Sequence, residues 1–319
     1  MRKGIVIIVV ILILAGLTVL GVAFVKSNFD FSMFSSDVYE TNTYTVDTAF
    51  NSIDINTKET DIKFMKSEDN TLSVVCEEKE KVKHNVTVED NTLKITVEDS
   101  RDWTDHISFY SRGLKMTVYL PNVSYDELMI KNSTGEVTIP SIFSFNNADI
   151  HTSTGDISYS AVTHETLILT CSTGNIEVNN VTAKEATITV STGDIKIDSM
   201  VCDGDITAFA TTGKVELKNI TCSNLKSSTR TGRIKLTNVI VSTLLDISCG
   251  TGDVDFERCD AGEIKIETTT GDVNGTVLSD KTFIAKTSTG HTNVPEDTTG
   301  GICRITTDTG YINVKVVSN

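Results

Sequence analysis

The stretch HTSTGDISYS, residues 151–160, decides the fold, because its centre, Thr154-Gly155-Asp156-Ile157, returns along the chain at a nearly fixed interval. The Thr-Gly glycines are Gly135, Gly155, Gly174, Gly193, Gly213, Gly232, Gly252, Gly271, Gly290 and Gly310. Each lies 19 or 20 residues after the last, and a fixed period of this size signals a stacked repeat architecture. Thr precedes every one of these glycines, and Val or Ile stands two places after all but Gly290, where the residue is Thr292.

Within each repeat apolar residues alternate with period two, the signature of a strand with one buried face. Downstream of the glycine they fall at the second and fourth places, as in Ile157 and Tyr159, Ile195 and Ile197, or Val254 and Phe256. Upstream they fall at the fifth and seventh, as in Leu169 and Leu167. The third place before the glycine is small: Cys171, Val190, Ala210, Thr229 and Cys249. One rung therefore reads as strand, Thr-Gly corner, strand and return turn. A single rung cannot bury its apolar face, whereas rungs stacked in register bury a continuous column and pair every backbone. The expectation is an all-β, single-stranded parallel β-solenoid, right-handed by the crossover rule. Its glycines serve as corners that need a positive φ or lack room for Cβ.

Few aromatics, three prolines and a formal charge of −15 in 319 residues agree with strands and turns in an acidic, soluble rod. That charge argues against a nucleic-acid partner, which needs a basic surface. Residues 4–25 are uncharged and follow Arg2 and Lys3. As a helix of about 33 Å they would span a bilayer core of about 30 Å, with the positive flank in the cytoplasm. The expected organisation is a transmembrane anchor over 1–26, a juxtamembrane linker over 27–45, an irregular β cap with first rungs over 46–130, and regular rungs over 131–319. The solenoid would then be extracytoplasmic on a single-pass anchor in the cell membrane.

Within 46–130, Val86 and Val88 followed by Leu93, Ile95 and Val97 around Asp90-Asn91 read as a hairpin. ETDIKF (59–64) imitates a rung without the glycine, and EEKEKVK (77–83) reads as a solvated strand edge. The membrane anchor, the strand LKMTVYLP (114–121) and the repeated S-T-G-D-I rungs resemble the bacterial membrane-anchored β-strand-repeat family labelled "putative adhesin", a domain of unknown function, over residues 45–319. That resemblance implies a cell-envelope β-solenoid, often accompanying membrane regulators of envelope stress.

Thr-Gly-Asp lacks the spacing of a phosphate loop and no helix follows it. A calcium column along Asp156, Asp194, Asp253 and Asp272 is countered by Lys214 and Arg233 at the same repeat position. Asp194, Asp253 and Asp272 could supply paired carboxylates to a carbohydrate-active β-helix enzyme, yet periodicity already accounts for them. The histidines at 84, 106, 151, 164 and 291 show no metal spacing, and no C-x-x-C exists. The seven cysteines read as buried small residues. Only Cys202 and Cys222 fall where neighbouring strands could bring them within disulfide reach, and their pairing stays open. No catalytic, cofactor or metal residue is expected. The aromatic group Trp103, Phe109 and Tyr110 offers candidate partner contacts, the alternative being that it plugs the cap. The expected function is non-enzymatic, an adhesion or protein-interaction surface whose partner is an envelope protein or surface glycan. Partnership with envelope-stress signalling proteins is the alternative, and a carbohydrate-active enzyme is a third.

Overall fold

The computed structural model describes residues 39–101, 113–296 and 299–317, together with Thr18 and Val22. Apart from Thr18 and Val22, the membrane span expected over 4–25 lies outside these residues, as does most of the linker expected over 27–45. Among the described residues no helix is long and apolar enough to cross a membrane. Residues 39–45, read as linker, are strand instead.

The chain is an all-β parallel β-solenoid. Its first strands are β1 (Tyr39–Val46), β2 (Ser52–Lys66), β3 (Leu72–Lys79), β4 (Val82–Glu89), β5 (Thr92–Asp99), β6 (Leu114–Leu120), β7 (Ser124–Thr134) and β8 (Val137–Ile139). The body continues through β9 (Ser144–Thr154), β10 (Ile157–Tyr159), β11 (Val162–Thr173), β12 (Ile176–Ala183), β13 (Glu185–Thr192), β14 (Ile195–Cys202) and β15 (Asp205–Thr212). Then come β16 (Val215–Thr231), β17 (Ile234–Thr251), β18 (Val254–Thr270) and β19 (Val273–Val277). The end is formed by β20 (Lys281–Thr289), β21 (Thr292–Asn293), β22 (Gly301–Thr309) and β23 (Ile312–Val316).

Strands upstream of the corners stack into one wall and strands downstream into another, all parallel and in register. Leu167 pairs with Ala186 and Leu169 with Ile188 in the first wall. Ile176 pairs with Ile195 and Val178 with Ile197 in the second. The alternating residues anticipated as inward are buried on both walls, so two apolar columns meet in one core. Each fully buried Ile, Leu or Val contributes about 2 kcal/mol relative to leaving it in water. Ser227 interrupts one column: it lies between Ala208 and Ile247, is fully buried, and its hydroxyl has no partner among the described residues.

A second bend lies within the downstream wall. Asn180, Ser199, Asn219, Asn238 and Arg258 all adopt a positive φ of 53–63°. They recur at the rung period, and Asn tolerates this left-handed conformation better than most residues. Asn238 Nδ2 donates to Asn219 Oδ1 (3.1 Å), and Asn219 Nδ2 to Asp198 Oδ1 (3.0 Å). The alternation of 19 and 20 also has a local cause. Where Gly232 and Gly252 are 20 apart, the extra residue sits in the return turn, at a register shift between Val241 and Leu244.

Stack order departs from chain order at both ends. Strand β2 pairs with β5 and β6 on one side and with β7 and β8 on the other, so the early residues 52–66 lie inside the later 92–120 layer. Beyond that layer, β3 runs antiparallel to β6 and β1, and β4 antiparallel to β5 about Asp90-Asn91. At the other end β18 pairs with β22, and β22 with β20. The last rung in sequence is thus inserted between the layer of Gly271 and the layer of Gly290. This placement accounts for Thr292: its rung is outermost, its second position needs no apolar residue, and Thr292 is only half-buried.

Candidate functional site

The Thr-Gly corners form one continuous column. Their glycines have φ from +126° to +153°, and a Cβ on any of them would drive deep into a backbone carbonyl oxygen of the neighbouring layer. For Gly193 that carbonyl belongs to Gly174, for Gly310 to Gly271, and for Gly290 to Gly310, which follows the stack rather than the chain. Two side-chain ladders satisfy the corner. Where the small residue three places before the glycine carries a donor, it bonds the corner carbonyl of the preceding layer: Cys171 Sγ to Gly155 O (3.2 Å), Thr229 Oγ1 to Gly213 O (3.1 Å), Thr307 Oγ1 to Gly271 O (3.2 Å). Cys and Thr serve as donors of similar size, while Val190 and Ala210 fill the same position without one, which is why it looked merely small in sequence.

The residue after the glycine completes the second ladder. Asp61 Oδ1 accepts the Glu136 N–H (3.0 Å), Asp156 Oδ1 that of Asn175 (2.7 Å), Asn175 Oδ1 that of Asp194 (2.9 Å), and Asp194 Oδ1 that of Lys214 (2.7 Å). After the interruption at Lys214 and Arg233 it resumes, Asp253 accepting from Asp272 (3.0 Å) and Asp272 from Tyr311 (2.8 Å). These carboxylates act as backbone caps, one to a layer. The Asp272 N–H, with help from Arg233, holds the Asp253 carboxyl below its ordinary range. Arg233 bridges Asp253 (2.8 Å) and Asp255 (3.7 Å).

The outer faces differ in character. On the downstream wall Glu177, Lys196, Glu216, Lys235 and Asp255 stack in register with alternating sign, Lys196 lying 2.6 Å from Glu177. On the upstream wall Ile168, Thr187 and Thr207 form one outward column, and Thr170, Thr189 and Phe209 the next. That patch carries no charge. Asp149 and His151 bound it on one side and Lys226 on the other.

Trp103, Phe109 and Tyr110 lie outside the described residues. The run 77–83 is not a solvated edge: Glu78 is fully buried and Lys79 nearly so. Strand β3 turns Cys76 and Glu78 inward, two residues apart on one face, and the tight β3–β4 turn brings back His84. Cys76, Glu78 and His84 offer donor atoms all within 4.8 Å of one another, the one such group of three among the described residues. Glu78 Oε1 accepts from the His84 backbone (2.6 Å) and ring Nδ1 (2.8 Å), and Oε2 from Asn42 (2.6 Å) and Tyr44 (3.1 Å). His84 Nε2 meets Thr60 Oγ1 at 3.4 Å. Burial lowers the His84 pKa, and burial beside Glu78 pushes the Cys76 thiol up to about 12. Sequence spacing missed this group because one ligand arrives across a turn. All seven cysteines are buried free thiols, Cys202 and Cys222 included.

The Toastrack DUF4097 family model matches residues 50–210 and 203–319. Nothing among curated proteins matches. Solved structures with similarity include a "putative adhesin" from Bacteroides fragilis, 15% identical, covering 89% of this chain and 99% of that one, with a TM-score of 0.43. Another is a "putative lipid binding protein" from Parabacteroides distasonis, 14% identical, covering 87% and 97%, TM-score 0.44. A third is a "putative adhesin" from Parabacteroides merdae, 10% identical, covering 87% and 96%, TM-score 0.38. With the family model matched across nearly all of the solenoid, the chain belongs to the Toastrack DUF4097 family.

Proposed function

We propose that the solenoid is a non-enzymatic interaction surface of the cell envelope, anchored through residues 4–25 with its N-terminus cytoplasmic and its rod outside. The observation that supports this reading is the uncharged face of Ile168, Thr170, Thr187, Thr189, Thr207 and Phe209 on a chain of net charge −15. Interface cores are depleted in charge and enriched in aromatic residues. A flat wall of short side chains on rigid strands also loses little entropy when covered. The ladder carboxylates, engaged as backbone caps, are poorly placed to serve as an acid–base pair. The ligand on this reading is an envelope protein or a surface glycan.

Photo-crosslinking in intact cells tests it, with the probe at Thr189 and a control probe at Glu177 on the other wall. The expected result is a discrete adduct from Thr189 alone, lost when Phe209 is replaced by Glu. Equal capture at both positions, or none at Thr189, would overturn it. An adduct with one membrane protein identifies a regulatory partner, and an adduct with glycan identifies adhesion.

A further inference from the structure

We propose that Cys76, Glu78 and His84 form a zinc-type metal site inside the N-terminal cap. The three side chains come from the two strands of one hairpin, β3 and β4, and are buried. Thiol, carboxylate and imidazole together are a donor set suited to Zn²⁺.

Glu78 is fully buried, and its neighbours within hydrogen-bond reach are an amide, a phenol, a backbone N–H and an imidazole. The His84 ring lies 2.8 Å from that carboxylate. A fully buried carboxylate is costly unless hydrogen bonds or a nearby positive charge offset its lost hydration. A divalent cation bound to Glu78 Oε1, His84 Nδ1 and Cys76 Sγ would supply the countercharge. The thiol gives up its proton on binding, so one proton leaves for each ion taken up. The imidazole hydrogen moves to Nε2, where Thr60 Oγ1 stands ready to accept it.

The surroundings have the form of an outer shell. Metal-bound histidines donate their second ring nitrogen to a fixed acceptor, and bound carboxylates are themselves hydrogen-bonded. Thr60 fills the first role. Asn42 fills the second on Glu78 Oε2, and Tyr44 bonds both carboxylate oxygens (3.1 and 3.2 Å), while Oε1 lies against the imidazole with the thiol sulfur within 4.8 Å. Because β1 supplies Asn42 and Tyr44 while β2 supplies Thr60, an ion here would tie the outermost hairpin to the first interior layer.

The full chain, stripped with chelator and titrated with Co²⁺ and then Zn²⁺, decides the matter. The expected result is one ion per chain, with a thiolate-to-cobalt absorption band that Cys76→Ser abolishes while the other six cysteines remain. His84→Gln is expected to weaken Zn²⁺ uptake more than tenfold. Should either variant fail to fold, Thr60→Val leaves every ligand in place and is expected to weaken binding about tenfold. No retained metal, a cobalt spectrum without the thiolate band, or uptake unchanged in Thr60→Val and Cys76→Ser would overturn the proposal.

Discussion

Lys281 Nζ lies 2.6 Å from Asp260 Oδ1, reaching past Gly301, which separates the two strands in the wall. It also donates to Ala261 O and Ser279 Oγ, both at 2.8 Å, and is itself buried. The layer of Gly290 is thus stapled to the layer beneath the inserted one, while the missing side chain at Gly301 makes room for the Gly262 carbonyl, into which an added Cβ would drive.

Lys281→Ala should leave half-buried Asp260 with its Ala261 and Ser279 hydrogen bonds but no cationic partner, and cost about 3 kcal/mol. Hydrogen exchange is the measurement: amides of residues 281–293 should lose protection before those of 185–260. Uniform loss across the rod would mean that the staple is not local.

Gly193→Val places a branched side chain against the Gly174 carbonyl at φ +137°. It should cost about 4 kcal/mol or more, the exceptional range for a single substitution. Gly113→Ala, where an added Cβ meets nothing within 4 Å, is the control and should be nearly neutral. Denaturant melts of both variants read the difference.

Ser227→Ala removes a buried hydroxyl that has no partner among the described residues and keeps a small side chain between Ala208 and Ile247. It should raise stability by about 1 kcal/mol. A fall in Tm would show that the hydroxyl is bonded after all.

Asp253 has a depressed folded-state pKa, so its contribution is present above the ordinary carboxylate range and is lost as pH falls through the folded value. Asp253→Ala should cost about 1 kcal/mol at neutral pH and progressively less in acid. Asp253→Asn keeps an acceptor for the Asp272 N–H, as Asn175 does for Asp194. It should therefore restore part of the loss while flattening the pH dependence. Melting both variants between neutral and acid pH distinguishes them.

The rungs were legible because one chemical demand, a corner without Cβ, recurs at a fixed spacing and leaves the same residue each time. The left-handed bend at Asn180, Asn219 and Asn238 recurs just as regularly, but Ser199 and Arg258 break the pattern, since several residues tolerate that φ. The alternating charges from Glu177 to Asp255 were readable in principle, because register follows directly from the glycine spacing. Stack order was not. A rung inserted out of turn uses the same Ile305 and Ile312 that any rung would use, and only Thr292 marks the difference. The cap group at Cys76 stayed hidden for a related reason: in an antiparallel hairpin, closeness depends on the turn, and a charged run of sequence gives no sign that Glu78 points inward.

The inverted order of the last two rungs bears on how the protein is made. During synthesis, residues 281–293 emerge while their neighbour in the wall does not yet exist, and the layer of Gly271 waits uncovered until residues 301–316 arrive. The final segment closes a gap instead of extending an end. Without residues 301–316 the rod would lack an interior layer, leaving β18 and β20 without the strand that both pair with. A duplicated rung would therefore be best accommodated among the middle layers, where both neighbours share its corner and register, whereas the layers of Gly310 and Gly290 interlock out of chain order.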